Sequence, residues 1–269
     1  MCRAQPPISN PVQGTSFSKL EHFETAMNSN TPLINLSGIT FSYPGAAQPV
    51  LDNLDLKFYP SEKMGLVAPN GSGKTTLLHI IMGLLKPNSG RMEIFGKSVS
   101  EEKDFLEVRR QIGLLFQDSD DQLFSPTVLE DVAFGPLNLG KSKEEAVDIA
   151  RSTLTKLGLS GFEARITIKL SGGEKRLVAL ATVLAMEPQI LLLDEPINGL
   201  DIETQKRIGQ ILADLELSYI IISHDIDFLA AITSSIYTMQ AGRIFIDEKL
   251  YVHKHVHAHP HGTYPHKHE

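Results

Sequence analysis

The sequence predicts an α/β protein with a mixed sheet at its core, an antiparallel β region ahead of that sheet and a helical insertion within it. Three observations predict this. Short, unbroken apolar runs at 189–193 and 219–222 read as buried parallel strands. Alternating apolar positions crowd the stretch that follows residue 33, as in half-buried antiparallel strands. A polar stretch at 117–126 then interrupts the strand pattern and gives way to helical periodicity.

Taken in order, residues 1–31 are rich in Pro, Ser, Asn and Gln and read as a disordered or loosely attached extension, with Cys2 an inert thiol in it. Met27 is a second candidate start. From Ile34 the pattern is β: Ile34 and Leu36, then Ile39, Phe41 and Tyr43, then Leu54, Leu56 and Phe58. Tyr43 has two readings, a strand aromatic in a core or a platform for a nucleotide base. After a turn at 60–63, a strand at 64–67 feeds a loop containing Gly71 and Gly73, followed by Lys74, Thr75 and Thr76. A helix is expected from Lys74 through Leu84 and Leu85.

Such a loop can wrap backbone N–H groups around phosphate oxygens, helped by the positive end of the helix dipole. Lys74 would reach the β- and γ-phosphates and Thr75 would offer its hydroxyl to Mg²⁺. Ala68 stands where the usual pattern opens with Gly, which is tolerable if φ there stays negative. Short strands are expected at 90–96 and 112–116, then helices at 127–134 and 143–157. Leu170-Ser171-Gly172-Gly173-Glu174 leads into a helix and is open to two readings, a second anion site or a plain helix cap. The strand at 189–193 ends in Asp194 and Glu195, at the sheet edge where open α/β sheets bind ligands. There Asp194 can hold Mg²⁺ and Glu195 can polarise a water. A helix at 202–215 precedes the strand at 219–222, which ends in Ser223, His224 and Asp225 and so repeats a polar residue at the same edge. Residues 239–247 read as a closing hairpin. His253, His255, His257, His259 and His261 alternate and His266 and His268 follow, a pattern able to chelate Ni, Co, Cu or Zn ions, or to be a solvated tail or a tag.

The chain of 269 residues, 42% hydrophobic and 21% charged, has ample length and composition for a packed core. A net charge of −7 argues against nucleic acid as a general partner. One cysteine excludes an internal disulfide framework. No apolar run approaches the roughly 18 residues that span a bilayer, and no N-terminal signal-like core is present, so solubility is expected, with any membrane role coming through a partner.

These motifs, in this order, resemble the ABC-type ATPases, the nucleotide-binding subunits of ABC transporters. The resemblance covers about residues 33–247, and its most specific part is the segment Leu170 to Glu174. It implies an ATPase domain at 32–248 with an ABC-specific helical subdomain at about 117–180, flanked by the extension and a His-rich tail at 249–269. It also implies ATP and Mg²⁺ as ligands, and a head-to-tail ATPase dimer. Position by position, Tyr43 matches the aromatic that stacks on adenine, and Asn70, Gly71, Ser72, Gly73, Lys74, Thr75 and Thr76 match the phosphate loop. Gln117 matches a glutamine that contacts Mg²⁺ and the attacking water and senses the membrane partner. Ser171, Gly172 and Gly173 match the signature acting in trans, Asp194 a Mg²⁺ ligand, Glu195 the general base, Asp201 a residue reaching across the dimer and His224 the switch histidine. Ala68 and Asn198, where Ser is common, are the departures.

Residues 116–127 and 130–139 are further similar to the energy-coupling-factor class of importers, in its cobalt and nickel branch. That resemblance implies an ATPase pair, identical or not, at the cytoplasmic face of the membrane. It drives a transmembrane coupling protein and a substrate-binding membrane protein. A vitamin importer of the same class is the alternative. A non-transport ABC protein fits less well, because the chain has one cassette and no coiled-coil insertion, and a metal-buffering protein leaves the ATPase motifs unexplained.

Overall fold

The computed structural model describes residues 31–246, so expectations for 1–30 and for the His-rich tail lie outside the described residues. A four-stranded antiparallel sheet, ordered β2-β1-β4-β5, is formed by β1 (Ile34–Phe41), β2 (Leu51–Phe58), β4 (Ser89–Ile94) and β5 (Lys97–Ser98). A six-stranded mixed sheet runs β10-β9-β3-β8-β7-β6, from β3 (Lys63–Val67), β6 (Ile112–Leu115), β7 (Ile190–Asp194), β8 (Ser218–Ile222), β9 (Ser235–Gln240) and β10 (Arg243–Ile246). All its pairs are parallel except β9–β10. The closing hairpin ties the two sheets: Asp52 N donates to Gly242 O at 3.1 Å, and Arg243 pairs with Asp52 at 2.7 Å.

Seven helices lie among the described residues: α1 (Lys74–Ile81), α2 (Glu102–Gln111), α3 (Val128–Asn138), α4 (Lys143–Lys156), α5 (Gly172–Leu184), α6 (Ile202–Asp214) and α7 (Ile226–Ile232). Helices α3 to α5 fall between β6 and β7 in the chain. Each opens on a capping box, Thr127 with Glu130, Ser142 with Glu145 and Ser171 with Glu174, which satisfies backbone N–H groups the helix leaves open.

The mixed sheet is buried on both faces, because side chains alternate along each strand. Met64, Leu66, Ile190, Leu192, Ile220 and Ile222 join a core with α1, α2 and the antiparallel sheet. Leu191, Leu193, Tyr219 and Ile221 join a second core with α3 to α7.

The structure differs from expectation at four helices, of which α3 runs through Pro136 to Asn138 rather than ending at residue 134. Helix α1 stops at Ile81 rather than running through Leu85. Gly83 takes φ +68°, its N–H donates to Ile80 O at 3.0 Å and the Leu84 N–H donates to His79 O at 2.8 Å, a left-handed stop that apolar periodicity conceals. Helix α2 was not expected, since only Phe105 and Val108 of its ten residues are buried and the rest are mainly charged. Helix α7 was not expected either, being a single short segment capped by Asp225, whose carboxylate accepts from Phe228 N at 2.9 Å.

Candidate active site

Strands β3, β8 and β7 are neighbours, so the loop after β3, His224 after β8 and Asp194 with Glu195 at the end of β7 meet at one sheet edge. Ala68 keeps a negative φ and is buried, so the missing glycine there costs nothing. Gly73 is different. Its φ is +98°, and a Cβ there would sit 2.8 Å from both Val50 O and a Leu51 methyl. No side chain caps α1, which leaves its first-turn N–H groups for a ligand.

Lys74 is 8% exposed, yet its charge is paired: Nζ lies 2.9 Å from Glu195 Oε1 and donates to Asn70 Oδ1 at 3.2 Å. The second oxygen of Glu195, a residue 2% exposed, lies 3.0 Å from His224 Nδ1. The backbone of Glu195 holds φ +48°, a conformation that costs a non-glycine residue energy, and its N–H donates to Ile222 O at 3.0 Å on the neighbouring strand. Beside this trio the Thr75 hydroxyl donates to Asp194 Oδ2 at 2.6 Å. Burial pushes the Asp194 carboxyl up, and the Thr75 hydrogen bond and the Lys74 charge pull it back.

Asp194 Oδ1 and Ser72 Oγ are buried without a protein partner. Buried polar atoms are normally satisfied, so both point to a ligand. Two carboxylates against one lysine, with a hydroxyl at hand, are the oxygen donors and the charge that a Mg²⁺ ion requires. Thr75, Asp194 and Gln117 all line one cleft of about 490 Å³, together with Asn198, His79, Asp118 and Asp121.

Tyr43 lies just past the end of β1, 43% exposed, edge-on to Phe41 at 4.9 Å and with its hydroxyl 3.1 Å from Thr76 Oγ1. It is therefore not a core aromatic. Ser171, Gly172, Gly173 and Asp201 are not brought into this cluster. Ser171 N donates to Glu174 Oε2 at 2.8 Å, while Ser171 Oγ accepts from Glu174 N, so the cap reading is true of the single chain. A Cβ on Gly172 would meet nothing within 4 Å, so that face is open. Asp201 caps α6, accepting from Thr204 N at 2.9 Å and Thr204 Oγ1 at 2.8 Å. The histidines from His253 to His261 lie outside the described residues. Among the described residues no cluster of three His, Cys, Asp or Glu side chains could hold a metal, and no helix is long and apolar enough to cross a membrane.

Sequence reasoning passed over Arg176 and Arg165. Arg176 donates to the carbonyls of Phe116 and Gln117, and Arg165 forks onto Glu174 at 2.7 and 3.1 Å. Only the basic residue types were visible, since the acceptors of Arg176 lie about sixty positions away.

A strand, a glycine-bent loop and a helix that opens on a buried lysine, with two carboxylates at the end of β7 in the same sheet, define a phosphate-loop ATPase. The ABC transporter family model matches residues 51–198, and the chain belongs to that family as an ATP-binding subunit. A protein of Nitratidesulfovibrio vulgaris named for ABC transporter ATP binding is 51% identical over 237 residues, 88% of this chain and 86% of its own. The energy-coupling factor transporter ATP-binding protein EcfA of Methanothermobacter thermautotrophicus is 41% identical, covering 80% of this chain and 70% of its own. The cobalt import ATP-binding protein CbiO of Rhodobacter capsulatus is 39% identical, covering 81% and 79%. Among solved structures, a dimeric post-hydrolysis ATP-binding cassette, MJ0796 with ADP and Pi, superimposes with a TM-score of 0.72 at 29% identity, over 78% of this chain and 96% of its own.

Proposed function

We propose that the chain is the ATP-hydrolysing subunit of an energy-coupling-factor importer for cobalt or nickel ions, working as a dimer on the cytoplasmic face of the membrane. The observation that carries the chemistry is Glu195, buried and held between Lys74 and His224 at 2.9 and 3.0 Å. Lys74 and the first-turn N–H groups of α1 bind the β- and γ-phosphates of ATP, with Asn70, Gly71, Ser72, Gly73 and Thr76 shaping the cradle and Tyr43 stacking on adenine. Thr75, Asp194 and Gln117 would hold Mg²⁺, which when bound offsets phosphate charge. Glu195 accepts a proton from water as the water oxygen bonds to the γ-phosphorus and the bond to ADP breaks. His224 orients Glu195 and donates to the γ-phosphate. Ser171, Gly172 and Gly173 of a second subunit close over the same phosphate, and Asp201 lies at that junction, which gives the open face at Gly172 a use.

The membrane side of the reading rests on the CbiO and EcfA relatives and on an exposed aromatic pair. Phe124 is 65% exposed and meets Phe134 edge-on at 4.7 Å, on the loop and helix that follow Gln117. An apolar pair so placed suits the transmembrane coupling protein, which in turn works with a substrate-binding membrane protein. The metal side rests on the alternating histidines of the tail, whose neutral imidazoles suit Co²⁺ and Ni²⁺ alike.

Isothermal calorimetry of Co²⁺ and Ni²⁺ into the full chain and into a chain ending at Leu250 tests the metal reading. Micromolar or tighter binding in the full chain alone is expected, fading as pH falls below about 6.5 when imidazoles protonate. Equal affinity in both chains would remove the tail from the argument and leave the imported substrate open, with the ATPase reading untouched.

A further inference from the structure

Helix α5 carries at its start the residues offered to a second subunit, and about one turn later it carries Arg176. Arg176 is 5% exposed, rare for a guanidinium, and its Nε has no partner. Its Nη1 donates to Phe116 O at 2.6 Å and its Nη2 donates to Gln117 O. These are consecutive carbonyls where the chain leaves β6 and enters the cleft beside Asp194. Burial pulls the guanidinium pKa down, and the charges of Asp118 and Asp194 offset part of that. A buried charge is by itself weak evidence for stability, so its place here calls for a mechanical explanation.

The planar fork provides one. Two N–H groups fixed in one plane grip two successive peptide carbonyls, which a flexible ammonium cannot do as rigidly. Gln122 reinforces the same junction, donating to Ala179 O at 3.0 Å and Thr182 Oγ1 at 2.8 Å on α5. We infer that Arg176 is a positioning residue that locks the backbone of Gln117 to helix α5. Gln117 in one nucleotide site and the Ser171–Gly173 surface presented to the other site then move as one piece. This rests on the role proposed above for Gln117. It adds that the two sites of a dimer are joined through a buried arginine in each subunit, with Gln122 beside it.

The test is a double-mutant cycle on ATP turnover of the full chain, using Gln117→Ala with Arg176→Met and, separately, with Arg176→Lys. Arg176→Met is expected to lower kcat about tenfold with KM for ATP within about twofold, because the phosphate loop is untouched. Arg176→Lys should recover part of that loss. In the Gln117→Ala background the Arg176 replacement should cost less than about threefold further, since its effect passes through Gln117. If Arg176→Met does not fold, the lysine variant carries the same cycle. Multiplicative losses, with each replacement costing the same in either background, would overturn the inference and leave the function of Gln117 standing. A Gln117→Ala chain that turns over like the parent would remove both.

Discussion

At the scale of single residues, Glu195 shows how chemistry and strain coincide. It follows Asp194 directly, yet its φ of +48° breaks the strand and turns its carboxylate between Lys74 and His224. A left-handed backbone at a non-glycine residue costs on the order of 1–3 kcal/mol, a penalty the surrounding contacts offset. Glu195→Gln keeps the shape and removes the proton acceptor. Its phosphate-release rate should fall about 10²–10⁴-fold. ATP should then hold the variant as a dimer on size-exclusion chromatography. Near-normal turnover would end the general-base assignment. Asp194 and Glu195 were legible because they stand at the end of a strand the apolar pattern marks, and Lys74 and Thr75 because they follow the glycines of the loop. Arg176 was not, because its partners are backbone atoms with no residue signature, brought near only by the fold.

At the scale of elements, helix starts were written more clearly than helix ends. Ser171 three residues before Glu174 announces α5, whereas the end of α1 depends on a left-handed Gly83 inside an apolar run. Helix α2 has too few apolar residues, and α7 too few residues of any kind, to raise a periodic signal. The start of α5 also has a pH signature. The Arg165 fork, then the Ser171 N–H, hold the Glu174 carboxyl down to about 2, against 4.5 ordinarily. A depressed carboxyl contributes stability that is complete above the ordinary value and is lost as pH falls from about 4.5 toward 2. Both partners are partly exposed, so the contribution is roughly 1 kcal/mol or less. Arg165→Ala should therefore lower Tm at neutral pH, with the gap to the parent narrowing as the solution is acidified below 4.5. A gap constant with pH in thermal melts would show that Arg165 acts through packing on Phe162, whose ring it covers at 4.1 Å, and not through Glu174.

At the scale of the molecule, the loop that carries Phe124 is clamped to α3 and to the segment before α5. Asp131 is buried beneath the loop and accepts from Phe124 N at 3.2 Å and Ser125 N at 2.8 Å, while Thr167 Oγ1 donates to Ser125 O at 2.6 Å from the segment leading to α5. A membrane partner seated on Phe124 would thus press on a loop that cannot yield alone. Phe124→Asp should weaken co-purification with the membrane partner at least about tenfold, while Tm moves by no more than about 2 °C because the side chain is exposed. Undiminished assembly would place the docking surface elsewhere.

The two cores that share the mixed sheet carry a consequence in simple arithmetic. Along β3, β7 and β8 the even-numbered residues Met64, Leu66, Ile190, Leu192, Ile220 and Ile222 face α1, and the odd-numbered Leu191, Leu193, Tyr219 and Ile221 face away. Asp194 continues the even count and so arrives beside Thr75 of α1. Its place is a matter of parity. A strand slipped by a single position would exchange its faces and carry that carboxylate to the far side of the sheet. The greasy residues that seem only to fill space are also the count that delivers the carboxylate, and substituting one for another leaves the count intact while inserting or deleting one does not.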